Sequence, residues 1–207
     1  MRAGIRVNVG CGQSPTPGWS NIDNSLTVRL ARSPLAFLLR SKRDYVERAR
    51  RDNIAYGTAR KLPFADGAVE VVYSSHMLEH LDRREAREFL LEAKRVLAPG
   101  GRIRIVVPDL AKAVENYTDS GDGDAFMLAI HMHNDRPVGT RQTLGHAIAG
   151  FREHRWMYDA RSLSALLTEL GYREVASFPA GETGIADPGA LDLRERADES
   201  LYVEGVA

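Results

Sequence analysis

Two glycines and an aspartate carry the strongest chemical signal in the sequence. The β-branched run Ile5-Arg6-Val7-Asn8-Val9 stops at Gly10-Cys11-Gly12, and Asp23 follows eleven residues after Gly12. Glycines after a first strand let backbone approach a nucleotide-like ligand with no side chain between, and an acidic residue after a second strand can hold ribose hydroxyls. A dinucleotide fingerprint needs a third glycine where this chain has Pro15. An NAD-dependent oxidoreductase is therefore disfavoured and stands as the alternative from another chemical class. A bare Gly-x-Gly also suits an ordinary strand-ending turn, so the downstream residues must decide. Cys11, inside that turn, reads as a small residue rather than a nucleophile.

The six histidines are the next candidates, because imidazole can be neutral near pH 7 and accept a proton. His146 sits in a glycine-bounded loop, and His154 in Arg152-Glu153-His154-Arg155-Trp156 stands just ahead of a late helical pattern. Asp109, just past a fifth strand, is placed to orient a base or bind a metal, against the plainer reading of a helix cap. His76 and His80 have the four-residue spacing of zinc ligands, but Met77 occupies the position where zincins carry glutamate, which argues against a metal there. His131 and His133, with Asn134 and Asp135, read as a solvated helix end before they read as part of a metal site. Asp119, Asp122 and Asp124 miss the calcium-loop spacing and form a turn. A divalent cation such as Mg2+ needs only one or two carboxylates and water, so it stays open, with no ligand assigned.

These residues need a scaffold, and the patterning supplies one. Strands are expected at Ile5–Val9, Asn21–Asp23, Asn53–Ala59, Val69–Ser74 and Ile103–Val107, with a helix over Asp82–Leu97 ending at Pro99-Gly100-Gly101. Pro15, Pro17 and Gly18 make the first crossover a loop. Thr27 to Arg51 is helical, basic and inserted, and residues 28–61 hold ten arginines and lysines against three acids. Such a segment suits an acidic partner, or simply a solvated helix covering the ligand. Residues 111–155 read as a substrate-side insertion, followed by a helix at Ser162–Leu170 and strands at Glu174–Phe178 and Ser200–Gly205. The order implies a parallel sheet flanked by helices, with chemistry after Val9, Ile22, Gly57, Tyr73 and Val107.

At 207 residues the chain suits a single domain, 1–207, with insertions at about 27–51 and 111–155. Twenty-eight basic residues balance twenty-eight acidic ones, so a nucleic-acid partner is disfavoured. One cysteine excludes an intrachain disulfide, and no apolar run approaches the roughly 20 residues of a membrane span. A cytoplasmic location is expected, and a homo-oligomer is compatible with the sequence.

The runs Val7-Asn8-Val9-Gly10-Cys11-Gly12, Gly18-Trp19-Ser20-Asn21-Ile22-Asp23, Leu62-Pro63-Phe64-Ala65-Asp66-Gly67, Ser75-His76-Met77-Leu78-Glu79-His80 and Arg95-Val96-Leu97-Ala98-Pro99-Gly100-Gly101 resemble, in order and spacing, the class I S-adenosylmethionine-dependent methyltransferases. The resemblance implies an α/β Rossmann-like three-layer sandwich whose seven-stranded, mostly parallel sheet has its last strand antiparallel. It implies S-adenosyl-L-methionine as cofactor, with Gly10, Cys11 and Gly12 against its methionine part and Asp23 on the ribose. Ala59 and Arg60 would flank the adenine, Ser75 and His76 would face the transferred methyl, and Glu79 and His80 would pack beneath the cofactor. The short crossover departs from the wider family. It is similar to a subgroup of sugar and polysaccharide O-methyltransferases of actinobacteria, including those acting on methylmannose polysaccharide. The implied reaction is O-methylation of a sugar or oligosaccharide hydroxyl, a mannoside first, with another small metabolite or tRNA as alternative acceptors. Relatives bring a substrate-facing residue over the sheet near His154, which ranks it first as general base, ahead of His146, with Asp109 as orienting group.

Overall fold

The computed structural model describes residues 4–131 and 153–207. Strand β1 (Ile5–Val9) pairs in parallel with β2 (Ser20–Asp23) on one side and β4 (Val69–Ser75) on the other. No helix joins β1 to β2. In its place side-chain amides satisfy the backbone of the proline-containing loop. Thr16 N donates to Asn21 Oδ1 at 2.8 Å, Asn21 Nδ2 to the carbonyls of Thr16 and Trp19 at 3.0 Å, and Asn8 Nδ2 to Thr16 Oγ1 at 3.0 Å. Asn8, Thr16 and Asn21 are all buried, so each polar group needs such a partner.

The basic segment after β2 is helical as its pattern implies. It comprises α1 (Leu26–Ala31), capped by Ser25, a 3-10 stretch at Pro34–Lys42 with Ser33 as cap, and α2 (Arg43–Arg51). Val28, Ala31, Val46 and Ala49 form a small core with Cys11 and Ile54. Two of the arginines hold backbone, Arg48 donating to Gln13 O at 2.6 Å and Arg50 to Ala31 O at 2.5 Å. Strand β3 is only Ala55–Tyr56, shorter than the expected 53–59, because it is an edge strand that pairs with β2 alone at Ile22 and Asp23.

Helix α3 (Arg83–Val96) starts at a capping box made by Asp82 and Glu85, and buries Ala86, Phe89, Leu90, Ala93 and Val96 against the sheet. Strand β5 (Leu97–Pro108) begins six residues before the expected Ile103, since Leu97 already pairs with Val69 and Ala98–Gly101 bulges out of the ladder before Arg102 resumes opposite Val71. Helices α4 (Leu110–Ser120) and α5 (Gly123–Ala129) follow, and the expected turn over Thr118–Asp124 shrinks to left-handed Gly121 and Asp122, because Asp119 continues α4 while Asp122 caps α5 and puts Asp124 in its first turn. Helix α6 (Ala160–Glu169) starts two residues before Ser162 because Asp159 and Ser162 form its capping box. Strands β6 (Arg173–Phe178) and β7 (Ser200–Val206) complete seven strands in the order β3-β2-β1-β4-β5-β7-β6. Only β7, last in sequence, runs antiparallel, between β5 and β6.

Helices α3 and α6 cover one face of the sheet. Over β4, β5 and β7 the opposite face is covered by Ile185 and Leu191 of the segment between β6 and β7, together with Trp19. That layer is irregular chain rather than helix, as Pro179, Gly181, Gly184, Pro188 and Gly189 would dictate. Among the described residues no helix is long and apolar enough to cross a membrane. The chain leaves β1 toward β2 on one side, while β4 and β5 extend the sheet on the other, so a crevice opens at their carboxyl ends.

Candidate functional site

That crevice is a cleft of about 910 Å3. Its floor is the glycine turn: Gly10 N and Cys11 N both donate to Ile22 O, at 2.8 and 3.2 Å, folding β1 back toward the end of β2. Gly10 is left-handed, φ +73°, and a Cβ there would stand 2.5 Å from Met77 Cγ. Glycine is therefore required twice, by conformation and by the approach of Met77. Gly10→Ala is expected to lower the melting temperature by about 3–8 °C, from roughly 1–2 kcal/mol of left-handed strain plus displacement of Met77. Unchanged thermal unfolding would contradict this account of the turn.

Asp23, buried at the end of β2, is held by three donors. Gly12 N reaches Oδ2 at 3.0 Å, while Ser25 N and Tyr45 OH reach Oδ1 at 2.8 and 3.1 Å. Two carboxylate oxygens offer about four lone-pair sites, so Oδ2 keeps one for a ligand in the cleft. Burial, with the Asp23 carboxylate adding to it, pushes the Cys11 thiol up to about 12. It stays protonated and unreactive at neutral pH, in line with its reading as a small residue. Burial also raises the Tyr45 phenol well above its ordinary value, keeping it a donor to Asp23.

The other wall carries imidazoles around one carboxylate. His76 follows β4 in a left-handed conformation, φ 47°, and His80 belongs to the 3-10 turn Leu78–His80, so their four-residue spacing does not put them on one helix. Glu79, between them, is 1% exposed. Its Oε1 lies 3.5 Å from His76 Nδ1, 3.8 Å from His80 Nε2 and 3.9 Å from His154 Nε2. Backbone bonds fix the assembly: Arg155 N and Trp156 N donate to Glu79 O at 2.7 and 3.2 Å, and His154 N donates to His131 O at 3.2 Å. The His131 and His154 rings stand 4.9 Å apart. Burial, ahead of the attraction of Glu79, pulls His154 down to about 4, so it is neutral in neutral solution.

Arg196 Nη1 donates to His76 Nδ1 at 2.9 Å, which leaves the His76 proton on Nε2, facing Ser200 Oγ at 3.0 Å. Arg196 is itself left-handed, φ 52°, as is His131, φ 49°. Backbone strain thus gathers at three non-glycine residues of one cleft, a pattern of functional sites. Tyr73 OH donates to Glu195 Oε2 at 2.7 Å, tying the segment before β7 to β4.

The sequence-derived residues meet unevenly. Gly10, Cys11, Gly12, Asp23, Ser75, His76 and His154 line this one cleft, and Ala59 lines an adjoining cleft of about 530 Å3 that shares Gly10, Gly12 and Asp23. Arg60 points elsewhere, its guanidinium half-exposed and 3.8 Å from Glu88. Asp109 caps α4, accepting from Ala111 N at 2.9 Å, and lines only a small cavity of about 50 Å3 that His131 and His154 also touch. His146 and His133 lie outside the described residues. Sequence reasoning missed Tyr45, Glu195 and Arg196. Tyr45 could have been found as the one aromatic among the charges of α2; nothing in Arg194-Glu195-Arg196 marked it as part of a site.

Residues 7–105 match the family model of a methyltransferase domain. That segment, just under half of the chain, is similar to methyltransferase domains. The same fold is seen in an S-adenosylmethionine-dependent methyltransferase of Thermotoga maritima, described as a possible histamine N-methyltransferase. It is 16% identical with a TM-score of 0.53, over 100% of this chain and 83% of that one. Another from Archaeoglobus fulgidus is 14% identical with a TM-score of 0.51, over 100% of this chain and 87% of that one. An uncharacterized 37.1 kDa protein in transposon TN4556 of Streptomyces fradiae is 28% identical over 120 residues, 55% of this chain and 32% of that protein. The chain thus spans about a third of the length of that curated relative. The matched segment contains the glycine turn, Asp23, His76, Glu79 and His80, whereas His154, Glu195 and Arg196 reach the cleft from beyond it.

Proposed function

We propose that the chain transfers a methyl group from S-adenosylmethionine to a hydroxyl of a small polyhydroxylated acceptor of the sugar type, with mannosides the first acceptors to test. One observation supports this most: the glycine turn and Asp23 open into the same cleft as Ser75, His76, Glu79, His80 and His154. The cofactor end fits its ligand. Gly10 and Gly12 give access to the methionine part, Asp23 offers an unused lone pair to the ribose, and Ala59 lines the side on which adenine would lie. The chemistry supplied by the cofactor when bound is an electrophilic sulfonium methyl.

The acceptor end is imidazole, hydroxyl and carboxylate rather than an apolar slot. A sugar hydroxyl is a weak nucleophile, so it must be both aligned and relieved of its proton as it attacks. A neutral imidazole beside a carboxylate meets that need, and His154, uncharged at neutral pH, keeps one nitrogen able to accept the proton. The test is formation of S-adenosylhomocysteine over a panel of glycosides, amines and tRNA. Turnover with mannosides, absent with their permethylated forms, is expected; turnover confined to amines or tRNA would overturn the acceptor assignment.

A further inference from the structure

Glu79 is a buried carboxylate, and among the described residues neither of its oxygens has a hydrogen-bond partner. A charge stripped of water and left unpaired is strongly unfavourable, so such a group normally has a partner. Three imidazole nitrogens face its Oε1 at 3.5–3.9 Å, beyond hydrogen-bond reach, and the tautomers of two exclude donation. His76 Nδ1 already accepts from Arg196, and so carries no proton to give to Glu79. His80 Nδ1 lies 3.1 Å from the carbonyl of Glu153, which can only accept; in the neutral ring the proton is therefore on Nδ1, and Nε2 faces Glu79 with a lone pair. Lone pairs of Glu79 Oε1 and His80 Nε2 thus face each other with no proton between them, the arrangement of a cation site.

The spacing agrees. Ligand atoms of Glu79, His80 and His154 lie within 4.8 Å of one another, with His80 Nε2 at 3.8 Å and His154 Nε2 at 3.9 Å from the carboxylate oxygen. Two ligands about 2.1 Å from a tetrahedral ion stand about 3.4 Å apart, so small side-chain movements complete the geometry. A histidine whose Nδ1–H is pinned to a backbone carbonyl while Nε2 points inward is the usual form of a metal-ligating imidazole. We propose that Glu79, His80 and His154 bind one divalent transition-metal ion of the zinc or iron class in the wall of the cleft. Two imidazoles with one carboxylate suit such ions, whereas magnesium demands oxygen ligands. His76 stands outside the ligand set because both its nitrogens are engaged.

The ion's use rests on the methyl-transfer reading: an acceptor hydroxyl on its open position would be polarised and more easily deprotonated, making His154 a ligand rather than a free base. Its binding does not rest on that reading. The test takes the full chain, stripped with a chelator and dialysed, and titrates Zn2+ and Co2+ with metal content, Co2+ absorption and thermal unfolding as readouts. About one ion per chain is expected, with tetrahedral or five-coordinate Co2+ bands. His80→Asn keeps a donor toward Glu153 O but removes Nε2, and should weaken binding by about 100-fold or more, as should Glu79→Gln. His76→Gln should leave it unchanged. Absence of stoichiometric metal, or a folded His80→Asn or Glu79→Gln protein that binds as the wild type does, would overturn the site. Inactivity on every sugar would leave the metal result standing, so the two proposals fail separately.

Discussion

Replacing Glu204 with alanine is expected to destabilise the protein by about 3–5 kcal/mol, a loss of roughly 10 °C or more in melting temperature. Glu204 and Arg104 are both fully buried on neighbouring central strands and pair at 2.6 Å. The carboxylate also accepts from Thr183 Oγ1 at 2.6 Å and Gly184 N at 2.9 Å, while Arg104 Nη1 donates to Glu182 O at 3.0 Å and its guanidinium lies over the Tyr202 ring. Arginine cannot shed its charge, and among the described residues Arg104 Nε and Nη2 have no hydrogen-bond partner. Removing Glu204 therefore strands a cation in the core and frees two donors of the segment between β6 and β7.

The paired change Arg104→Met with Glu204→Leu should recover much of this, because an apolar pair of similar volume needs no counter-charge. Recovery should stay incomplete, since Thr183 Oγ1 and Gly184 N remain unmatched. Denaturant unfolding of the two variants beside the wild type checks it. A Glu204→Ala protein within about 1 kcal/mol of wild type would contradict the account. The consequence reaches the cleft, because that segment carries Glu195 and Arg196, and Arg196 fixes the tautomer of His76.

What was legible in the sequence follows from how local each signal is. The glycine turn, Asp23, the loop crossover and α3 rest on strand periodicity, prolines, caps and helical spacing, all set within a few residues. Boundaries failed where a neighbour decided them. The early start of β5 depends on Leu97 finding Val69, and the brevity of β3 on its having a single partner strand. The Glu79 cluster was half legible: Glu79 and His80 stood in a matched run, and His154 was chosen as a cleft residue. Their meeting depends on Arg155 and Trp156 binding the Glu79 carbonyl across more than seventy residues, which no spacing rule reveals. The pairing of Arg104 with Glu204, one hundred residues apart, is hidden for the same reason. Each is a charge in the middle of an apolar run, and that conflict with burial is the signal that two distant residues must meet.

Asp23→Asn is expected to weaken S-adenosylhomocysteine binding by about 100-fold although the two side chains have nearly the same shape. Every neighbour of this carboxylate is a donor: Gly12 N, Ser25 N and Tyr45 OH. An amide must turn its NH2 toward one side, so either Gly12 N or the donors on the other oxygen would face hydrogens, and the turn would shift. A ribose diol at the remaining lone pair would lose the charge-assisted bonds that a carboxylate gives, worth about 1.5–3 kcal/mol each, and 1.4 kcal/mol is tenfold in affinity. Tyr45→Phe removes one donor and leaves the charge, so a loss of only about fivefold is expected, near the 1 kcal/mol of a neutral hydrogen bond. Calorimetric titration of both variants, with melting curves in the absence of ligand, separates binding from folding. If Asp23→Asn bound within about threefold of wild type while folded, Asp23 would be a strut for the glycine turn and the ribose would be held elsewhere in the cleft. If Tyr45→Phe fell as far as Asp23→Asn, the phenol rather than the charge would be the group that matters.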